Sequence, residues 1–121
     1  MIDGESLTIN LFYGGKQLFV KIYEYHINQD KEEFFLEIQE KVSQIYNKYL
    51  CCEVMYLKSI DDATVWVEIA KYSSEEEYFK HIKNLNNEPV IQELFEQFES
   101  CLIPGKMDIR ERDFIMKKLL S

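Results

Sequence analysis

The side chains best equipped for chemistry in this 121-residue chain are two histidines, three cysteines and a few carboxylates set among aromatic residues. Glu24 and His26 share one face of a strand-like run, Gln17 to Asn28, and Trp66, Glu68 and Tyr72 share one face of another. A carboxylate and an imidazole meeting beside an indole could handle the proton of a phenolic substrate, since burial and neighbours tune both groups toward neutral pH. Glu24, His26, Trp66, Glu68 and Tyr72 are therefore the candidate ligand-pocket residues, and no residue is assigned a catalytic role. The competing expectation is structural: a strand histidine held by a hydrogen bond, and Glu68 paired with Arg110, Arg112 or Lys21. Which strand faces meet the helices is left open by the sequence.

Other chemistry finds less support. His81 falls on a helix flank beside Tyr78 and Leu85, far in sequence from His26, and no HxxxH or HExxH spacing occurs, so no metal site is expected. Cys51, Cys52 and Cys101 are an odd number without CxxC spacing, and adjacent cysteines rarely bridge. They read as buried thiols of a reducing compartment, with Cys52 near His26 as a less common nucleophile. No GxGxxG, Walker or GxSxG motif supports nucleotide binding or serine hydrolysis. No cofactor is expected.

Composition narrows the partners. The chain is 46% apolar with eight Phe and eight Tyr, too much apolar material for a disordered protein. Its formal net charge of −8, with no basic cluster beyond Lys117-Lys118, opposes binding to nucleic acid or an anionic membrane. No apolar run approaches the length of a membrane helix, and no signal-peptide pattern opens the chain, so a cytoplasmic protein is expected.

The elements that must position the candidates follow from periodicity. Residues 1–16 read as an N-terminal extension. A partly alternating run, Leu7 to Tyr13, is followed by Gly14-Gly15, a two-residue hairpin signal. Gln17 to Asn28 is rich in β-branched and aromatic residues and lacks Gly and Pro. Asp30 with Glu33 predicts a capping box for a helix whose stripe is Phe34, Phe35, Ile38, Val42, Ile45, Tyr46 and Tyr49, with Gln39 on the polar side. Cys52–Ile60 and Ala63–Tyr72 read as strands around an Asp61-Asp62 turn. Ser74 with Glu77 opens a second helix carrying Tyr78, Phe79, Ile82 and Leu85, and the Glu75–Glu77 charges favour that helix N-terminus. Pro89 suits the first turn of a third helix, which Pro104-Gly105 ends. Met107–Ile115 reads as a more polar strand suited to a sheet edge, and 117–121 as a tail. The order is (β)β-α-β-β-α-α-β. With the last two helices merged, residues 17–116 give the α+β, ferredoxin-like βαββαβ pattern, an antiparallel sheet covered by helices on one face.

Every strand but the last carries large apolar or aromatic groups on both faces, yet the helices of this topology cover one. Pairing two sheets face to face in a homodimer would bury the other, each such side chain contributing about 1.5–3 kcal/mol. Folding of the N-terminal hairpin or the tail across that face is the alternative.

The run Trp66-Val67-Glu68-Ile69-Ala70-Lys71-Tyr72-Ser73-Ser74-Glu75-Glu76-Glu77-Tyr78, followed by Asn87-Glu88-Pro89-Val90-Ile91-Gln92-Glu93-Leu94-Phe95, resembles the dimeric α/β-barrel superfamily and most of all its antibiotic-biosynthesis monooxygenase-type domains. The resemblance spans about residues 17–115. It implies a ferredoxin-like dimer with a pocket between sheet and helices. It also implies functions ranging from cofactor-free oxygenases and haem-degrading enzymes to binding proteins. The haem-degrading type uses a first-strand Asn, a His after the Pro step and a Trp near the end of the third strand. Here the first strand has no Asn before Asn28, the His position falls near Phe95, and the Trp position falls near Lys71 or Tyr72. All three departures argue against haem degradation. The expected function is a small-molecule-binding or interaction domain, with a small hydrophobic ligand. The alternative is a cofactor-independent monooxygenase-like enzyme acting on an aromatic or polyketide-like substrate.

Overall fold

A computed structural model describes residues 12, 13 and 16–121. Two short strands, β1 (Phe12–Tyr13) and β2 (Lys16–Gln17), pair in antiparallel register. The expected strand over residues 7–11 and the Gly14-Gly15 turn lie outside the described residues. Then follow β3 (Phe19–His26), α1 (Glu32–Tyr46), β4 (Cys52–Lys58), β5 (Val65–Tyr72), α2 (Glu75–Asn86), α3 (Pro89–Glu99) and β6 (Arg110–Ile115). The four long strands form an antiparallel sheet in the order β4-β5-β3-β6. Three helices cover one face, which is the ferredoxin-like arrangement, and the sheet remains open, with β4 and β6 as its edges. Among the described residues no helix is long and apolar enough to cross a membrane.

Side-chain alternation now has a direction. Phe19, Lys21, Tyr23 and Tyr25 of β3 face the helices, as do Trp66, Glu68, Ala70 and Tyr72 of β5; Tyr25 and Trp66 both meet Phe35 of α1 edge-on. The outer face carries Val20, Ile22, Glu24 and His26 of β3, Val67 and Ile69 of β5, and Met55 and Leu57 of β4. Met55 and Leu57 are 48% and 44% exposed.

The core divides in two. One cluster gathers Phe19, Tyr46, Leu50, Tyr72, Tyr78, Leu85 and Ile91. The other gathers Tyr25, Ile27, Phe35, Ile38, Trp66, Leu94 and Leu102. Val42 and Ile45 of α1 pack against both.

Several local expectations are corrected. Asp30 does not cap α1: it lies in a 3-10 turn, Gln29–Lys31, whose own cap is the Asn28 side chain accepting from the Asp30 N–H. The preceding turn takes up the chain's approach, so α1 starts at Glu32 with no side-chain cap. That helix stops at Tyr46, where the Asn47, Lys48, Tyr49 and Leu50 N–H groups all turn back onto carbonyls of residues 43–46; Tyr49 is consequently exposed. Gln39, expected on the polar side, is buried and accepts a hydrogen bond from the Tyr56 hydroxyl at 3.1 Å. A polar residue enters the apolar face because a half-buried phenol needs an acceptor. Phe79 of the α2 stripe is exposed, and β6 begins at Arg110 rather than Met107. The Ser74 hydroxyl does cap α2, accepting from the Glu77 N–H at 3.1 Å, while the Glu77 carboxylate turns instead to His81 at 3.5 Å. Pro89 opens α3, and Gly105 supplies the positive φ of 87° that ends the following turn.

Candidate functional site

A cavity of about 420 Å³ lies between the helix-facing side of the sheet and the three helices. It sits where the two core clusters part, so neither fills it. β3 and β5 form its floor with Tyr23, Tyr25, Glu68 and Tyr72. Helices α1 and α2 supply walls that include Val42, Tyr46, Tyr78 and Ile82. Phe95 and Phe98 of α3 close the far side. Glu99, Ile109 and Glu111 also line it and are exposed, which places the mouth between the end of α3 and β6.

Glu68 dominates the chemistry of the floor. The Tyr25 hydroxyl donates to its Oε1 at 2.7 Å, diagonally across the β3–β5 ladder, in which Glu68 pairs with Tyr23 and Tyr25 with Trp66. Burial penalises the charged carboxylate and pushes it up to about 7, against the smaller opposing effect of the Tyr25 hydrogen bond. The side chain is half-buried because the cavity itself exposes it. Around neutral pH it is thus divided between acid and base forms, the condition under which one group can take up a proton and return it.

The phenols of Tyr23, Tyr25, Tyr46 and Tyr72 are all pushed upward, chiefly by burial, so they are neutral donors. Tyr46 spends its hydroxyl proton on Asn86 Oδ1 at 2.8 Å.

The five candidates do not assemble as one group. Glu68 and Tyr72 line the cavity. Trp66 lies on the same face but under Phe35, ring centroids 5.1 Å apart, and its Nε1 has no hydrogen-bond partner among the described residues. Glu24 and His26 lie on the opposite face of the sheet, so the His26–Glu68 pair considered from sequence is not formed. Odd residues of β3 face the helices, and the even-numbered His26 and Glu24 cannot. His26 Nδ1 instead lies 2.9 Å from Thr64 Oγ1. That hydroxyl donates its proton to Asp62 Oδ1 at 2.7 Å, so it must accept from His26, fixing the hydrogen on Nδ1. The Thr64 amide and hydroxyl together hold the Asp62 carboxyl below its ordinary value.

Lys21, rather than neutralising Glu68, is bound to Glu111 at 2.9 Å and Asp113 at 2.6 Å across the β3–β6 ladder. Among the described residues Glu68 has no cationic partner in an ion pair. Cys52 pairs in register with Tyr72, at the end of the sheet away from His26, and burial pushes its thiol up to about 12. A thiol so protonated is no nucleophile.

Sequence reasoning missed the mouth carboxylates Glu99 and Glu111 and the walls from α2 and α3. Glu111 alternates correctly on its strand, and a known face would have found it. Glu99 carries no such signal.

No family model and no curated protein matches the sequence. Solved structures do match in shape. SnoaB, a cofactor-independent oxygenase from Streptomyces nogalater, superposes with a TM-score of 0.64 at 10% identity, covering 85% of this chain and 96% of its own. A candidate antibiotic biosynthesis monooxygenase from Caulobacter crescentus CB15 gives 0.65 at 9% identity, covering 92% and 98%. An uncharacterized NIPSNAP domain protein from Burkholderia xenovorans gives 0.64 at 14% identity, covering 85% and 98%. Identities this low establish shape, and shape alone does not transfer an activity. This chain carries the ferredoxin-like fold of the antibiotic-biosynthesis monooxygenase type.

Proposed function

We propose that residues 17–116 form a small-molecule-binding domain whose cavity takes a ring-bearing, largely apolar ligand, with Glu68 meeting the ligand's polar group. One observation carries this reading. A cavity of about 420 Å³ with aromatic walls has a single half-buried carboxylate on its floor, the usual composition of a ligand site. Naphthol tests it. At a hundred times its dissociation constant, a ligand binding only the folded state stabilises by about 2.7 kcal/mol, so the melting temperature should rise by several degrees. Ile82→Trp, which fills the cavity from α2, should abolish the rise while keeping the fold. An unmoved melting temperature across bicyclic aromatic probes would remove the proposal.

A second reading, a cofactor-independent oxygenase acting on an aromatic or polyketide-like substrate, is favoured by the titration of Glu68 near neutrality. A carboxylate of that basicity can accept a phenolic proton, and the resulting electron-rich anion is the species that reacts with oxygen. Oxygen uptake with anthrone-type precursors supports it, and none at all counts against it.

The outer sheet face supports a homodimer. Ile22, Val67 and Ile69 form an apolar centre, while Glu24, Glu53, Arg110 and Arg112 give its rim both signs of charge, as a self-complementary two-fold contact needs. Sedimentation should show a species of two chains, and Ile69→Glu should return it to one. A single-chain species for the unaltered protein would end this proposal.

A further inference from the structure

The lining of the cavity is uneven in charge. Glu68 stands on the floor, and Glu99 and Glu111 stand at the mouth. Among the described residues, none that lines it is Lys, Arg or His. The remaining polar groups are phenols and the amides of Gln39 and Asn86, and the faces between them are aromatic. A neutral hydrocarbon would need no carboxylate on the floor, and an anion would be repelled there.

The same rings already show what they accept. Lys21, 3% exposed, sits just outside the cavity with its Nζ 5.2 Å from the Tyr78 ring centre, 5.8 Å from Tyr23 and 5.7 Å from Phe19. Its charge is met by Glu111 and Asp113. An ammonium is thus held here by aromatic faces and carboxylates together. Tyr23 and Tyr78 also line the cavity, alongside Tyr72, Phe95 and Phe98, with Glu68 on the floor and Glu111, one of the pair that holds Lys21, at the mouth. Rings with negative faces and a carboxylate in a desolvated site are a recurring receptor for organic cations. The two carboxylates that hold Lys21 exceed its single charge, so it does not turn the neighbourhood positive.

We propose that the cavity takes an organic cation: a protonated amine carried on an aromatic or other apolar ring body, its nitrogen against Glu68 and its ring between Tyr23, Tyr72, Tyr78 and Phe95. This rests on the reading of the cavity as a ligand site and names the class of ligand.

Three probes with one naphthalene body separate the possibilities: naphthylmethylamine as the cation, naphthylmethanol as the neutral analogue and naphthoate as the anion. Titration calorimetry near pH 7 on the unaltered protein should rank the amine at least about tenfold tighter than the alcohol, with naphthoate weakest. Repeating the amine titration in buffers of different ionisation heat should show a fraction of a proton released. A cation beside Glu68 drives that carboxyl to its ionised form, whereas the alcohol should release none. In Glu68→Gln the amine should fall to the affinity of the alcohol, which itself should change little. Should that variant fail to fold, the ranking and proton release of the unaltered protein decide the matter.

Equal binding of amine and alcohol, or tightest binding of naphthoate, overturns the cation assignment and leaves the cavity as a binding site. Absence of binding by all three overturns the binding-site reading and the assignment with it.

Discussion

Glu68→Gln should make the protein more stable above neutral pH, by about 3 kcal/mol, and leave it little changed below about pH 4.5. The folded carboxyl lies at about 7 against 4.5 in a solvated chain, and each unit of such a shift corresponds to about 1.4 kcal/mol. A carboxyl raised on folding contributes its full stability below the unfolded value, because both states then carry the proton. As pH rises from 4.5 the unfolded chain ionises first, and stability falls until the folded group ionises near 7. Above that the folded protein holds an ionised carboxylate on the cavity floor, with no cationic partner among the described residues. The amide keeps an acceptor for the Tyr25 hydroxyl and removes the charge. The ionisable groups facing Glu68 do not complicate the window. Tyr23 and Tyr25 of β3, Tyr46 of α1, and Tyr56 and Cys52 of β4 are all pushed upward by burial and stay neutral. Denaturant unfolding at about pH 5 and pH 8 tests this. The original protein should lose stability between the two and the variant should lose less. Equal slopes would show that Glu68 is not perturbed. If the oxygenase reading holds, the same variant should also lose on the order of a hundredfold or more in oxygen uptake, the usual contribution of a positioned base.

The second large effect concerns packing. Phe35→Ala should cost about 3–5 kcal/mol, the range for removing a buried aromatic ring. Phe35 is 0% exposed and meets Tyr25, Tyr56 and Trp66 edge-on and Phe98 at a tilt, with centroids between 5.1 and 6.0 Å. The helix holding it and the strands it covers are fixed by other contacts, so the space left cannot close fully. For a domain whose whole stability is typically about 5–15 kcal/mol, this brings the folded state close to failure. Phe34→Ala, one residue away on the exposed side of α1, should change stability by less than about 1 kcal/mol. Urea unfolding of the two variants side by side gives the comparison, and similar losses would contradict the packing described.

Those two neighbours show where sequence is informative. Both phenylalanines belong to the stripe that identifies α1, because a stripe defines a helix face only to within a residue's width. The sheet decides which ring is covered, through Tyr25 and Trp66 from two different strands. The same limit applies to the site. Strand alternation grouped Trp66, Glu68 and Tyr72 correctly on one face and Glu24 and His26 on one face. Nothing local said that these two faces point in opposite directions. That is set by strand order and by the handedness of the connections, which no single strand carries. The ferredoxin-like order was legible because the Ser74 cap, Pro89 and the switch between period 2 and period 3.6 mark the elements from β3 onward. Gln39 escaped because its burial answers the need of Tyr56, seventeen residues away in the chain.

The division of the core has a consequence for inheritance. Helix α2 contributes to one cluster only, through Tyr78, Ile82 and Leu85, whereas α1 and α3 take part in both. Substitutions along α2 can therefore reshape one wall of the cavity without disturbing the Phe35 cluster, which keeps its own partners. Tolerance to change is partitioned within a single small domain. Descendants of such a chain could exchange one ligand for another through α2 while the rest of the scaffold is passed on unaltered.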